Sequence, residues 1–439
     1  MDPMKRIPES VLVIFKYQRE LYFITRQNHL RVFPGYTSFP GGKVEKSDGA
    51  SSYKNIPGNI MATAQRELEE ELHYDLRNEV EQGTVKDLRL IGQATTPDFN
   101  PYRFLAYYIL VEVSEKPPFV LDYTEIKEGH WLNFEQFQAR YRKGEAIVIP
   151  PIWKILDYIE RNAYEEELFD LDREDKKVPW LESFFGVKQF MPLSNTLPPA
   201  ERTNAFLIGD TLVDPSPKDE VELGKLISSI PVSSVNKIFI THHHGDHHNL
   251  STKLAREISS PIYLSEYTYK RIVEVGGLDH FKDIDVQFLE EGDCITEWLG
   301  KKVIVHEIPG HDEGHLGLAP ETLEWFIVGD LFQGVGTVVI GGKEGNMSKY
   351  FQSLKRVIKL SPKAVYPSHG IVLGGTHILE KTLKHRELRE AQIKKMHESG
   401  LNEQQMLERI YFDLPQKLHK YALANINSHL LKLKGENKL

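Results

Sequence analysis

The sequence is poor in cysteine and contains no long apolar run. Its 439 residues include one cysteine, Cys294, so neither an intrachain disulfide nor a zinc site built from cysteines can form. No stretch approaches the roughly 18 apolar residues that a membrane-spanning helix needs. Residues 1–6 lack the apolar core of a signal peptide. These features predict a cytoplasmic protein that does not enter a membrane.

The chain also lacks a surplus of positive charge. Its formal net charge is −9, which argues against a protein that binds nucleic acid over its whole surface. A local exception is the stretch 380–439, with 12 Lys plus Arg against 8 Asp plus Glu. The length predicts two or three domains, each large enough to bury its own core. The oligomeric state is left open by the sequence.

The most informative run reads Thr-His-His-His-Gly-Asp-His-His. It follows the apolar stretch 235–240, which predicts a buried strand, so the next loop can direct several side chains into one site. Imidazole and carboxylate groups are the ligands that zinc takes in such sites. His242 and His244 would serve one ion. Asp246 and His247 would serve a second. The alternative, a solvated histidine tract or a tag remnant, does not account for an Asp after a hydrophobic strand.

Further candidate ligands follow three apolar runs later in the chain. Each stands next to a glycine, which lets the backbone turn tightly at the end of a strand. They are His311, Asp330 and His369. Their order and spacing indicate one metal site assembled from several strand ends.

Together these motifs resemble those of the metallo-β-lactamase fold superfamily. The resemblance implies a first zinc ion bound by His242, His244 and His311, a second bound by Asp246, His247 and His369, and Asp330 as the bridging ligand. It also implies that Asp214 supports the ligands without binding metal. A two-metal site of this kind activates water for hydrolysis. Asp246 would also orient the water.

Segments outside the metal motifs bear on the substrate. Residues 334–340, 344–347, 203–207, 385–387 and 424–433 resemble the lactamase-like-protein branch that includes mitochondrial endoribonucleases, and the last of them resembles its small winged-helix-like tail. Similarity to glyoxalase II lies in the metal motifs alone. We therefore expect cleavage of a phosphodiester, with RNA as the substrate. Hydrolysis of an acyl thioester is the alternative. His315 either contacts substrate phosphate or simply packs.

A second cluster of charged residues lies early in the chain, in the helix-forming run Arg-Glu-Leu-Glu-Glu-Glu-Leu. Glu67, Glu70 and Glu71 fall on one face of a helix because they are three and four residues apart. Carboxylates crowded in this way repel each other unless a cation such as Mg²⁺ or Mn²⁺ neutralises them. The alternative is a solvated acidic face.

The loop 39–48 and this helix together resemble the Nudix hydrolase box. The resemblance implies that Glu67, Glu70 and Glu71 bind Mg²⁺ or Mn²⁺ and take part in cleaving a nucleoside diphosphate-type substrate. Asp48 stands in the first acidic position, as in coenzyme-A-type Nudix enzymes, so coenzyme A is another candidate ligand. About ten extra residues, within 49–59, precede the helix, and His73 replaces the usual glycine after it. A domain kept for ligand binding is the alternative to an active enzyme.

The fold class expected from these patterns is a multidomain α/β and α+β protein. We predict a Nudix-like α/β/α domain over 1–165, a solvated linker over 166–177, a metallo-β-lactamase αββα sandwich over 178–375 and a helical, winged-helix-like tail over 376–439. A hairpin is expected at 11–15 and 21–25. Helices are expected at 221–229, 347–360, 379–397 and 418–433.

Overall fold

The computed structural model describes residues 7–49, 53–172 and 174–439. The chain divides into two compact units. The first comprises Met1–Arg173 with Leu181–Phe185, and the second comprises Glu174–Trp180 with Gly186–Leu439. Residues 1–6, which lack the apolar core of a signal peptide, and residues 50–52 of the insertion before the Nudix-like helix lie outside the described residues.

The first unit contains one sheet and helices on both of its faces. Its strands are β1 (Glu9–Tyr17), β2 (Glu20–Arg26), β3 (Thr37–Ser38), β4 (Val85–Thr95), β5 (Leu105–Val113), β6 (Ile126–Leu132) and β7 (Glu167–Leu168). Its helices are α1 (Gly58–Leu72), α2 (Leu76–Gln82), α3 (Phe134–Arg142) and α4 (Pro150–Glu160). The sheet order is β3-β2-β1-β5-β4-β7, and β6 pairs with β2. Strands β1 and β2 form the predicted antiparallel hairpin.

Alternation along β1 gives the first unit two cores. Val11 and Val13 point to one face of the sheet, where they pack with Leu68 of α1. Ile14 points to the other face, where it packs with Ile155 of α4. Successive side chains of a strand point to opposite faces, so a strand that is apolar at consecutive positions is buried on both sides. The result is a helix–sheet–helix sandwich.

The charged segment predicted to be a solvated linker begins inside the first unit. Strand β7 pairs in parallel with β4, with Glu167 opposite Gly92. Phe169 is buried and meets Tyr108 and Tyr158 edge to face at 5.6 and 5.8 Å. One aromatic ring in a charged run is enough to fix the chain to the core, since burying it removes a large apolar surface from water.

The second unit contains two sheets. Its strands are β9 (Val187–Phe190), β10 (Ala205–Ile208), β11 (Thr211–Val213), β12 (Lys237–Phe239), β13 (Ile262–Leu264), β14 (Val286–Phe288), β15 (Cys294–Trp298), β16 (Lys301–Glu307), β17 (Leu316–Pro320), β18 (Phe326–Gly329), β19 (Ala364–Pro367) and β20 (Leu373–Gly374). The remaining strand, β8 (Trp180–Phe184), falls where the chain passes from one unit to the other. One sheet has the order β14-β13-β12-β11-β10-β9, and the other β15-β16-β17-β18-β19-β20.

Helices cover the outer faces of both sheets. They are α5 (Glu220–Ser229), α7 (Ser251–Ile258), α8 (Glu266–Gly276) and α9 (Met347–Leu360), with short 3₁₀ turns at Val232–Ser234 and Leu278–Phe281. The single turn α6 (Gly245–His248) follows β12. On β10, Ala205 and Leu207 face the helices and pack with Leu226 of α5. Phe206 between them points the other way and meets Tyr366 of β19 edge to face at 5.4 Å. This alternation produces the predicted αββα sandwich.

The C-terminal tail consists of α10 (His377–Glu398), α11 (Glu403–Ile410) and α12 (His419–Gly435), with a 3₁₀ turn at Gln416–Leu418. Ile393, Met406 and Ile426 form its small core. All of residues 376–439 are described, and they contain helices but no β-hairpin wing. The predicted multidomain fold with a helical tail is thus confirmed. No helix among the described residues is both long and apolar enough to span a lipid bilayer.

Candidate metal centre

The histidine run begins directly beyond the end of β12. Ile240 is fully buried and fixes the end of this strand in the core. The chain then turns through Thr241 into α6, a single helical turn. This turn brings four side chains of the run to one side, where residues from other strand ends meet them. Among the described residues, four groups of ligand atoms converge here, and two of them are named the first cluster (His242, His244 and His311) and the second cluster (Asp246, His247 and His369).

The first cluster is formed by three imidazole rings. The Nδ1 atom of His244 lies 2.9 Å from the Nε2 atom of His242 and 2.9 Å from the Nε2 atom of His311. One nitrogen from each ring therefore converges on the same small volume, with all three within 4.8 Å of one another. Three converging imidazole nitrogens are a common ligand set for zinc.

The second cluster combines two imidazoles with a carboxylate. The Oδ1 atom of Asp246 lies 4.0 Å from the Nε2 atom of His247, and its Oδ2 atom lies 3.7 Å from the Nε2 atom of His369. These ligand atoms also lie within 4.8 Å of one another. The set has the mixed nitrogen and oxygen character that zinc accepts.

Asp330 lies between the two clusters. Its Oδ2 atom is 3.6 Å from the Nε2 atom of His311 in the first cluster. Its Oδ1 atom is 3.7 Å from the Nε2 atom of His247 and 3.4 Å from that of His369, both in the second cluster. A carboxylate that offers one oxygen to each cluster has the placement of a bridging ligand.

The donor atoms fit a metal centre because several lack any other partner. The Nε2 atoms of His247 and His369 and the Oδ1 atom of Asp330 are buried, and none has a hydrogen-bond partner. Leaving a buried polar atom unpaired costs about 1–3 kcal/mol. Three such atoms that face each other would be satisfied together by a shared cation.

The two clusters also differ in their electrostatic environment. Burial, together with the neighbouring histidines, lowers the pKa of His242 and of His244 well below the usual range, so both rings are neutral. Burial also opposes charge on His247, but the carboxylates of Asp246 and Asp214 outweigh it and raise its pKa to about 10. The second cluster is therefore an anionic environment that favours a positive charge, as a divalent ion would supply.

The outward-facing nitrogens of three ligands are each held by an oxygen. The Nδ1 atom of His311 lies 2.9 Å from the carbonyl of Val339, and that of His369 lies 2.8 Å from the carbonyl of Arg202. The Nδ1 atom of His247 lies 2.8 Å from the Oδ2 atom of Asp214. Such contacts place the proton on Nδ1 and leave Nε2 free to bind metal.

Asp214, for which the sequence predicted a supporting role, lies beside Thr241 and His247. Its carboxylate is buried and also accepts hydrogen bonds from the backbone N–H (2.8 Å) and the hydroxyl (2.7 Å) of Thr241. Its φ of 44° lies in the left-handed region, which Asp tolerates better than most residues. Asp214 thus fixes both the start of the histidine run and the ring of His247.

Asp214→Asn should weaken zinc binding at the second cluster by roughly 10- to 100-fold, the usual effect of losing such a supporting contact. Both carboxylate oxygens of Asp214 accept hydrogen bonds, from Thr241 and His247. Asn has only one terminal oxygen, so it cannot accept all of these bonds. Competition with a chromophoric chelator measures the change. Asp219→Asn is the matched control, because Asp219 caps α5 and Asn caps helices equally well. Equal zinc affinity in both variants would contradict this role for Asp214.

His315 is placed where packing is favoured over phosphate contact. Its side chain is 1% exposed, and its ring lies 4.9 Å from the ring of His242. Burial lowers its pKa to about 3, so it carries no charge with which to attract a phosphate. Gly329 permits this position, because a Cβ there would lie 2.1 Å from the Nε2 atom of His315.

Two contributors to the site were missed in the sequence. Asp312 is fully buried, accepts from the backbone N–H of Gly314 at 2.8 Å, and forms a close ion pair with His243. Its position next to His311 was the available signal. Asn204 donates to the carbonyls of Pro367 and Gly370 at 2.8 and 2.9 Å, and so holds the loop that carries His369. No local pattern marks that role.

In the first unit, two of the three Nudix-like glutamates lie against the glycine-containing loop. Glu71 is buried and accepts from the backbone N–H of Gly41 at 2.7 Å. Burial raises its pKa to about 8, although the bond from Gly41 opposes the shift. Glu67 lies so close to the loop that a Cβ on Gly42 would be 2.2 Å from its Oε1 atom. Burial raises the pKa of Glu67 as well.

Glu70 is oriented differently. Its side chain is 59% exposed and is paired with Arg66 at 2.9 Å. The three glutamates do not form one of the groups of converging ligand atoms found among the described residues. Arg66 also pairs with Asp48 at 2.8 Å, and this bond lowers the pKa of Asp48 to about 2. Asp48 therefore orders Arg66, which in turn holds Glu70.

The structure explains how His73 can replace the glycine that usually follows the helix of the Nudix box. His73 ends α1 with φ 51° and ψ 45°, in the left-handed region that glycine adopts most easily. Its backbone N–H still closes the helix on the carbonyl of Glu69 at 3.2 Å. The helix therefore ends where the Nudix box predicts, although the residue is not glycine.

Comparisons with known proteins agree with this architecture. Residues 198–369 match the family model of the metallo-beta-lactamase superfamily, and residues 6–150 match that of the NUDIX domain. The chain is 28% identical over 262 residues to the Beta-lactamase-like protein 2 homolog of Drosophila melanogaster, covering 54% of this chain and 84% of that protein. It is 30% identical over 135 residues to the Hydroxyacylglutathione hydrolase of Bdellovibrio bacteriovorus, covering 30% of this chain and 48% of that protein.

A solved structure supports the fold. The crystal structure of a Beta-lactamase domain protein from Burkholderia ambifaria aligns with a TM-score of 0.50 at 19% identity, covering 59% of this chain and 88% of that one. The αββα sandwich with its histidine and aspartate centre defines the class as metallo-β-lactamase-fold hydrolases. The chain is a hydrolase in which such a domain is fused to an N-terminal Nudix domain, as the motifs predicted.

Proposed function

We propose that the centre of the second unit binds two zinc ions and hydrolyses phosphodiester bonds in RNA. The observation that carries the two-metal part is the position of Asp330, with one carboxylate oxygen toward each cluster. Zinc bound here would lower the pKa of water and stabilise the negative charge that develops on the phosphate oxygens. His242, His244 and His311 would hold one ion, Asp246, His247 and His369 the other, and Asp330 both.

Asp246 is the carboxylate best placed to orient the attacking water. Its side chain is 18% exposed, whereas that of Asp330 is 5% exposed. Asp330 is surrounded by ligand histidines, and His369 and His247 hold its pKa well below the usual range despite its burial. Asp246 can therefore accept a hydrogen bond from solvent at the open side of the centre while it also binds metal.

The case for RNA rests on the resemblance of the flanking segments and on the helical tail. Lys417, Lys420 and Lys434 of the tail are exposed, as phosphate-binding residues must be. Lys432 does not belong with them. Its side chain is 8% exposed and pairs with Glu390 at 2.7 Å and with Glu436 at 3.0 Å. Lys432 stabilises the tail, so a test of RNA binding has to leave it in place.

Replacing Lys417, Lys420 and Lys434 together by glutamine should weaken RNA binding and flatten its dependence on salt. Each lost phosphate contact reduces the slope of log K against log salt by about 0.7 for single strands. The turnover at saturating RNA should change little, because the metal ligands are untouched. Filter binding over a salt series measures the slope, and glutamine at the exposed Lys86, Lys127 and Lys143 of the first unit provides a control with the same charge change.

Hydrolysis of an acyl thioester is the second candidate. It is favoured by the similarity to proteins named Hydroxyacylglutathione hydrolase, such as that of Bdellovibrio bacteriovorus. A panel of RNA, bis-p-nitrophenyl phosphate, acyl thioesters and nucleoside diphosphate conjugates separates the candidates. Thioester cleavage that exceeds RNA cleavage by orders of magnitude, together with no effect of the tail lysines, would overturn the RNA assignment.

For the first unit we propose an Mg²⁺- or Mn²⁺-dependent hydrolase of a nucleoside diphosphate-type substrate or coenzyme A. Glu67 and Glu71 are already gathered at the loop, and Glu70 would join them by releasing Arg66. Carboxylate oxygens are the ligands that these hard cations prefer. If no diphosphate substrate is cleaved, the domain is a ligand-binding module.

We also propose a cytoplasmic location, which suits a chain whose one cysteine is unpaired.

A further inference from the structure

A short segment of the second unit supports the metal ligand His311 from behind. It comprises Val338, Val339 and Ile340. The carbonyl of Val339 is the partner of the His311 Nδ1 atom, at 2.9 Å. The direction of that carbonyl therefore determines how the His311 ring presents its Nε2 atom to the first cluster.

Two residues of the helical tail hold this segment on both sides of Val339. Asn425 of α12 accepts, through its Oδ1 atom, the backbone N–H of Ile340 at 2.9 Å. Arg386 of α10 donates to the carbonyl of Val338 at 2.5 Å and to the Oδ1 atom of Asn425 at 3.2 Å. The peptide group that contains the Val339 carbonyl is thus held from the tail through its Ile340 N–H, and the preceding peptide group is held through the Val338 carbonyl.

The burial of this arrangement indicates a purpose beyond packing. Arg386 and Asn425 are 4% and 6% exposed. Arg386 forms no ion pair with a carboxylate in the part of the chain that the structure describes; its guanidinium lies 5.7 Å from the ring of Tyr350. A buried cation is costly unless its hydrogen bonds are satisfied, and here they are satisfied by a carbonyl and an amide oxygen next to a metal ligand.

We propose that Arg386 and Asn425 are positioning residues for His311, so that the helical tail is an integral part of the first metal cluster. This inference rests on the proposed function, in which His311 binds zinc. The second cluster is supported differently, since His369 and His247 are held by Arg202 and Asp214. Loss of the tail contacts should therefore impair one metal site and spare the other.

The test measures metal binding by the full-length protein. Cobalt(II) reports each site through its visible spectrum, and zinc competition with a chelator gives the affinities. Asn425→Leu removes the acceptor for Ile340 and Arg386, and Arg386→Gln removes the charged donor. We expect roughly tenfold or greater weakening of the first cluster alone, the scale of effects known for ligand-supporting contacts. Asn425→Asp retains the acceptor and should restore the affinity.

Arg389→Gln is the matched control. Arg389 lies on the same helix as Arg386, but it packs over Tyr411 inside the tail at 4.8 Å and does not touch residues 338–340. Thermal melting verifies that each variant is folded.

The outcomes are distinguishable. If the wild type binds two ions and Asn425→Leu and Arg386→Gln bind both as tightly, the positioning role is wrong and the proposed function stands. Equal weakening of both clusters, or weakening by Arg389→Gln to the same extent, would show only a general effect of tail stability and would overturn the inference. A wild type that binds neither zinc nor cobalt would overturn the proposed function and the inference together.

Discussion

His311→Ala and His242→Ala should each release the metal ion of the first cluster and lower hydrolysis by about 10³-fold or more. A bound metal contributes several kcal/mol to stabilising the transition state, and each ~1.4 kcal/mol is a factor of ten in rate. His311 supplies the third converging nitrogen of the first cluster, beside those of His242 and His244. Elemental analysis after purification without chelator gives the metal content.

His397→Ala is the control for this prediction. His397 is exposed on α10, outside every group of converging ligand atoms. Its loss should leave metal content and hydrolysis unchanged. The two-metal proposal fails if the wild type, purified without chelator, contains no transition metal, or if His311→Ala retains full metal content and activity.

Glu71→Gln should abolish Mg²⁺- or Mn²⁺-dependent hydrolysis by the first unit, with a loss of about 10²- to 10⁴-fold, the range for a group that transfers protons in the reaction. Zinc-dependent hydrolysis by the second unit should be unaffected, because its proposed ligands all belong to the other compact unit and the two sites share no residue. Glu70→Gln should have the same selective effect. Glu69→Gln, at an exposed position of the same helix, serves as the control.

Glu71→Gln should also change how the stability of the metal-free protein depends on pH. The pKa of Glu71 is about 8 in the folded protein, above the ordinary value of 4.5. A carboxyl with a raised pKa costs the folded state progressively more free energy as pH rises from about 4.5 to about 8. Glu71→Gln removes this group, so the variant should unfold at a higher temperature than the wild type at pH 8 but not at pH 4. A difference that is independent of pH would contradict this explanation.

The sequence predicted those features that are encoded locally. Helix α9 was expected at 347–360 and is found at Met347–Leu360, because its apolar residues recur at the helical period and Asn346 caps it. The residues proposed as metal ligands could be picked out in the sequence because four of them lie in one run and the others follow buried strands. In the Nudix helix, the spacing predicted one face for Glu67, Glu70 and Glu71, but only the fold brings Glu67 and Glu71 against the loop and leaves Glu70 paired with Arg66.

Features that depend on the fold as a whole were not predictable in this way. Phe169 lies in a run of charged residues, and only the sheet beside it explains its burial. Lys432 belongs to the stretch 380–439 with its surplus of positive charge, but it pairs with Glu390, 42 positions away, and no local pattern marks that contact. Arg386 and Asn425 are separated by 39 residues, and their meeting at residues 338–340 leaves no local pattern.

The contact of Arg386 and Asn425 with residues 338–340 has a consequence for biosynthesis, because the tail is translated last. Every proposed zinc ligand has been synthesised once the ribosome passes His369, yet Asn425 is made 56 residues later. Domains generally fold in the order in which they are translated, and translation proceeds at about 5–20 residues per second. A nascent chain therefore has the sandwich and its ligands for several seconds before the support of His311 is complete. On the proposed function, the first cluster would bind its ion roughly tenfold or more weakly until the tail has folded.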